Sequence, residues 1–142
     1  MTIETSIDPK AGVATHRVEG EIDMDQIRQA WDKLLAHPDF DPAIDVLWDL
    51  SACNRATLNS RDIERIRDET AAVLERRQPG YKVALVAPKD LYFGLCRMFE
   101  AYADDLPIEV HVFRELDDAW RWLTGEEKEI SSATTAPSGE NR

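Results

Sequence analysis

Between Ile44 and Leu50 the chain reads IDVLWDL, and between Tyr81 and Ala87 it reads YKVALVA. Both runs are nearly continuous in apolar residues rather than strictly alternating, the pattern of strands buried on both faces. Such strands need helices packed over their sheet, so these two runs confine the chain to a layered α/β architecture. Ile108, Val110 and Val112 alternate as a third strand of the buried type.

Amphipathic segments separate these strands. Asp23 is placed to cap a helix whose stripe is Met24, Ile27, Trp31, Leu34 and Leu35, with Pro38 just beyond its end. A polar loop from Ser51 to Asn59 leads into a second helix. Ser60-Arg61-Asp62-Ile63 lacks the Glu or Gln of a full capping box, so the cap rests on Ser60 alone. Ile63, Ile66, Thr70, Val73 and Leu74 form its inner face, and Pro79-Gly80 ends it. Pro88-Lys89-Asp90 opens a third helix with Leu91, Leu95, Met98, Phe99 and Tyr102 on one stripe. The last helix starts near Glu115 and buries Leu116, Ala119, Trp120 and Leu123.

At the N-terminus, Ile3–Ile7 and Val13–Val18 flank the turn sequence Asp8-Pro9-Lys10-Ala11-Gly12 and read as a hairpin. Val13, Thr15 and Arg17 share one face of its second strand; Ala14, His16 and Val18 share the other. The expected fold is α/β, a single mixed sheet of about five strands with about four helices, in the order β-β-α-β-α-β-α-β-α. The crossovers are parallel and the hairpin lies at one edge.

The 142 residues fit one domain, read as residues 1–124, followed by a flexible polar tail at 125–142. The formal charge is −11, and the tail's four acidic and two basic residues leave −9 on the domain. That balance excludes nucleic acid, whose backbone is bound by Lys and Arg, and disfavours anionic membranes. No apolar run is long enough for membrane insertion, and Met1–Asp8 lacks a signal pattern, so a cytoplasmic location is expected. Cys53 and Cys96 have no metal or CxxC spacing and read as free thiols of a reducing compartment.

Chemistry-bearing motifs are sparse. His16, His37 and His111 form no ligand cluster and read as exposed or edge polar residues, so no metal is expected. The chain has no GxGxxG, GxxxxGK[ST] or GxSxG motif; no cofactor and no catalytic constellation is expected, and the chain does not read as an enzyme. Asp49 ends the 44–50 strand, where α/β folds place ligands. It reads either as a site carboxylate or as an acceptor for backbone N–H groups in its own loop. Ser51, Thr57 and Ser60 precede a helix N-terminus that would stabilise a phosphate. Cys53, near Arg55 in the same loop, reads either as a somewhat reactive thiol or, more plainly, as a small loop residue. Tyr92, Phe93 and Cys96 add apolar mass beyond the third helix's stripe, and Trp122 falls outside the face of the fourth. Those extra groups suggest a homodimer face, an apolar pocket, or packing on a neighbour. Arg97 lies among aromatics, with Asp49 or an anion as one partner and Glu100 or Asp104 as the plainer one.

The stretches VLWDLS…LNSRDI, YKVALVAPKDLYFGLCRMFEAYA and VHVFRELDDAWRWL resemble the bacterial SpoIIAA-like group across about residues 3–124. That group is related to STAS domains (sulfate transporter and anti-sigma factor antagonist) and is often labelled STAS/SEC14-like. The resemblance implies a small α/β domain, often dimeric, with no established catalytic activity. Anti-sigma factor antagonists carry a phosphorylated Ser in a D-S-S/T-G motif opening the second helix. The matching region here is LNSRDI, with Ser60 as a rough counterpart and no Gly following. The SEC14 kinship implies an apolar ligand. The expected function is a non-enzymatic regulatory or protein-interaction domain that pairs with itself as a homodimer and takes a regulatory protein partner. The alternatives are a phospho-switched antagonist using Ser60, and a small apolar-ligand binder using Asp49 and Arg97 beside Tyr92 and Phe93.

Overall fold

The hairpin forms where its turn chemistry places it. In the computed structural model, which describes residues 2–125, β1 (Thr2–Asp8) runs antiparallel to β2 (Val13–Ile22). Asp8 closes the turn by accepting the N–H groups of Lys10 and Ala11, each at 3.1 Å. Gly12 takes φ 70°, a left-handed conformation that a side chain would disfavour. The chain continues through α1 (Met24–Ala36), β3 (Asp45–Ala56), α2 (Ser60–Val73) and a 3₁₀ turn at Leu74–Arg76. It ends with β4 (Lys82–Val86), α3 (Asp90–Tyr102), β5 (Glu109–Phe113) and α4 (Leu116–Thr124). The element order is the expected one. The tail assigned to 125–142 lies, after Gly125, outside the described residues.

The five strands lie side by side in chain order, and every pair after the hairpin is parallel. This makes β3 the central strand, as its apolar run requires. The sheet's two faces are covered unequally. One carries α1, α2 and α3 over Val18, Leu50, Val83 and Leu85. The other carries α4, whose Ala119 and Leu123 close over Val13, Leu47, Ala84 and Val86. β5 is an outer strand, half-buried rather than enclosed, with His111 exposed.

Several local expectations are corrected. The stretch read as a loop from Ser51 continues β3 as far as Ala56. Its register against β2 shifts twice, between Arg17 and Glu19 and between Gly20 and Glu21, so β3 carries extra residues there. Such bulges re-phase the alternation and bring Leu50 and Cys53, three positions apart, into the same core. Asp49 therefore lies within the strand and not at its end. Cys53 is no loop residue: it is fully buried on β3.

The cap of α2 is Asn59, not Ser60. Asn59 accepts the N–H of Asp62 at 2.9 Å, and the Asp62 carboxylate accepts the N–H of Asn59 at 3.0 Å. A shorter acid completes the reciprocal box that Glu usually forms. In α3 the inward face is Tyr92 and Cys96, with Leu95 and Phe99 beside them. Leu91, placed on the inner stripe from spacing, is 66% exposed. The helix is apolar on too many sides for periodicity alone to set its phase.

Candidate functional site

The crowded face of the sheet is not completely filled. Between the strands and α1, α2 and α3 lies a cavity of about 130 Å³. Ile27 and Trp31 line it from α1, Ile63 and Ile66 from α2, and Tyr92 and Cys96 from α3. Trp48, Leu50, Val83 and Leu85 form its floor on the sheet. The helices reach it for local reasons: Asp23 caps α1 by accepting the Gln26 N–H at 2.9 Å, and the Asn59–Asp62 box starts α2.

Two ties hold α2 over this space. Arg28 on α1 donates to both carboxylate oxygens of Glu69, at 3.0 and 2.7 Å. Arg67 on α2 donates to Asp105 at 2.6 Å and to the carbonyl of Tyr102 at 3.3 Å, just beyond α3 and at its end. The residues following Arg28 and Glu69 in inward phase, Trp31 and Thr70, line the cavity.

One wall carries a buried polar group. His16 on β2 is fully inaccessible, contrary to its expected exposure. Its Nδ1 is 2.9 Å from the Thr5 hydroxyl on β1, and its ring lies 4.2 Å, centre to centre, from that of Trp48. Its Nε2 is buried without a hydrogen-bond partner. Burial first, and then the positive charge of Arg77, lower the ring's pKa to about 3, so it is neutral near pH 7. Arg77 also lines the cavity. Its guanidinium donates to the carbonyls of Pro42 and Ile44 and lies 3.6 Å from the centre of the Tyr81 ring. Burial lowers the Arg77 pKa and raises that of Tyr81.

Both thiols are masked. Burial raises the Cys96 pKa to about 12 and pushes Cys53 up as well. Neither has the thiolate character of a nucleophile. Among the described residues no group of three or more His, Cys, Asp or Glu is arranged to hold a metal ion.

The residues singled out from sequence are dispersed. Tyr92 lines the cavity. Phe93 is half-buried under the Arg114 guanidinium, 3.9 Å from its ring centre. Asp49 is buried, and its Oδ1 accepts the N–H of Ser51 at 3.0 Å. Arg97 pairs with Glu100 on its own helix at 3.0 Å, so the two proposed polar anchors do not line the cavity. Trp122 packs on the α4 side of the sheet, 4.6 Å from His111 and 5.6 Å from Phe113, with Lys82 above its ring. Ser60 is exposed as the first residue of α2.

His16 and Arg77 were missed as site residues. For His16 a signal existed, since it shares a strand face with Ala14 and Val18, both of which are buried. For Arg77 there was none, because its partners are carbonyls 33 and 35 positions away.

A family model described as SpoIIAA-like matches residues 13–124. The fold is also similar to the crystal structure of an uncharacterized protein from the DUF3478 family, with a SpoIIAA-like fold, from Shewanella loihica PV-4. The two share 17% sequence identity at a TM-score of 0.52, over 86% of this chain and 92% of that one. No curated protein matches the chain.

Proposed function

The chain belongs to the SpoIIAA-like family, and we propose that it is a non-catalytic binding domain whose cavity receives a small apolar molecule. The observation that carries this reading is the cavity of about 130 Å³ walled by isoleucine, leucine, valine and aromatic side chains. An apolar void of this order, roughly 150 Å³ in an engineered example, stays dry and admits a benzene-sized guest. Its ionisable neighbours favour binding over turnover. Burial pushes the Cys96 thiol up to about 12 and His16 down to about 3, which leaves the thiol protonated and the imidazole uncharged at neutral pH.

Toluene is a suitable first probe. Ligand binding to the folded state alone raises stability by about 1.4 kcal/mol at ten times the dissociation constant. In a domain of this size that corresponds to a rise of roughly 3–6 °C in Tm. A Tm unchanged up to the solubility limit of toluene would overturn the reading.

A second reading, a homodimeric regulatory domain with a protein partner, is favoured by Leu91, a large apolar side chain left 66% exposed at the start of α3. Sedimentation analysis tests it. A dimer that dissociates in Leu91→Asp supports it, and a monomer at hundreds of micromolar removes it.

A further inference from the structure

A ligand site lined only by hydrocarbon would not need His16. Burying an imidazole with an unpaired nitrogen is unfavourable, and this ring has no route for turning Nε2 to solvent because it is fully enclosed. The Thr5 hydroxyl holds Nδ1, and Trp48 packs against the ring. His16 is one of the residues lining the cavity, and its Nε2 is a fully buried polar atom without a hydrogen-bond partner. Two further polar side chains of the wall are engaged: Thr70 donates to the Ile66 carbonyl at 2.8 Å, and Arg77 to the carbonyls of Pro42 and Ile44.

We infer that the ligand is an apolar molecule with a single hydroxyl, a phenol or a small alcohol, whose oxygen hydrogen-bonds His16 Nε2. This rests on reading the cavity as a ligand site. Three physical points select the hydroxyl. A neutral imidazole presents either N–H or a lone pair at Nε2, depending on the proton at Nδ1, and an O–H group pairs with both. An ammonium head would face the positive charge of Arg77. A carboxylate would have to be desolvated in an apolar chamber while Arg77's mapped hydrogen bonds already go to backbone carbonyls. Water is a poorer occupant, since it requires two to four partners. A hydroxyl on an apolar body requires one, because the hydrocarbon walls hold the rest.

Phenol and toluene, nearly equal in shape, separate the two claims by calorimetric titration of the full chain. A purely apolar chamber prefers toluene and rejects phenol, whose hydroxyl would lose its water. The expected result is that phenol binds at least as tightly as toluene. In His16→Phe, phenol should weaken by about tenfold or more while toluene binding persists, which also shows that the variant is folded. In the unmodified chain, phenol should move the ¹⁵N resonance of His16 Nε2 and toluene should leave it unchanged, a readout that needs no variant. Toluene binding without phenol binding, or phenol affinity unchanged in His16→Phe, overturns the hydroxyl inference and leaves the cavity reading standing. Binding of neither compound overturns both.

Discussion

Arg28 and Glu69 join α1 to α2 through two parallel hydrogen bonds, Nε to Oε1 at 3.0 Å and Nη2 to Oε2 at 2.7 Å. This forked pairing fixes the orientation of the two helices as well as bringing opposite charges together. The closest neighbour of α2 is α3, so the pair supplies a specific tie from α2 to the opposite, α1 wall of the cavity.

Releasing that tie should loosen α2 more than it destabilises the protein. Arg28→Ala is expected to speed amide hydrogen exchange in residues 60–73 several-fold with a small change in Tm, because partly exposed pairs contribute little to global stability. The hydrogen bond from Arg28 holds the Glu69 carboxyl below its ordinary pKa. Its stabilising effect is therefore complete above about pH 4.5 and is lost as pH falls through the lower folded value. Exchange rates of α2 that match the parent in Arg28→Ala would show that the pair does not hold this helix.

His16 should dominate the pH dependence at higher pH. Its folded pKa, about 3, lies below the ordinary 6.5. The unfolded chain therefore binds the extra proton, and stability falls as pH drops below about 6.5. The slope approaches about 1.4 kcal/mol per pH unit. Urea unfolding at pH 7.5 and 5.0 should differ by roughly 2 kcal/mol, and the difference should shrink markedly in His16→Phe. An equal pH dependence in parent and variant would contradict the buried neutral ring.

The two faces of the sheet should separate stability from binding. Leu47 is fully buried beneath α4, so Leu47→Ala should cost about 3–5 kcal/mol. Toluene affinity measured well below the variant's Tm should stay within twofold of the parent. Leu85 lines the cavity on the opposite face. Leu85→Ala should cost about 2–4 kcal/mol and admit bulkier guests such as naphthalene. Loss of toluene binding in a folded Leu47→Ala protein would place the site elsewhere.

Asn59 and Ser60 are adjacent but unequal. Asn59→Ala removes the acceptor for the Asp62 N–H and breaks the reciprocal cap, with an expected cost of about 1–2 kcal/mol in urea melts. Ser60→Ala should fall within about 0.5 kcal/mol of the parent, since its exposed side chain carries no part of the cap. A larger loss at Ser60 than at Asn59 would reverse this assignment.

The sequence made the layers legible because both faces of β3 and β4 are enclosed, which imposes near-continuous apolar runs. It also marked the start of α1, where Asp23 accepts a free N–H group. The second half of β3 was hidden by its bulges: SACNRA keeps neither the period of two nor an apolar run. In α3, apolar residues around most of the helix left the phase undetermined, and Leu91 was exchanged for Tyr92 and Cys96. The cavity could not be read, because it depends on how far three helices stand from the sheet. The burial of His16 was legible from the strand face it shares with Ala14 and Val18, but the missing partner of its Nε2 was not. Asp49 and Arg97 looked like anchors through their neighbours in sequence, yet Asp49 binds Ser51 and Arg97 binds Glu100.

Methyl-labelled isoleucine provides the most direct test of a ligand-binding cavity. Ile22, Ile27, Ile63, Ile66 and Ile108 line it, whereas Ile3, Ile7 and Ile44 do not. On titration with toluene, the first five methyl resonances should shift together along one saturable curve while the other three stay nearly fixed. Methyl spectra that do not change at saturating toluene, or that shift equally in both groups, would contradict the account.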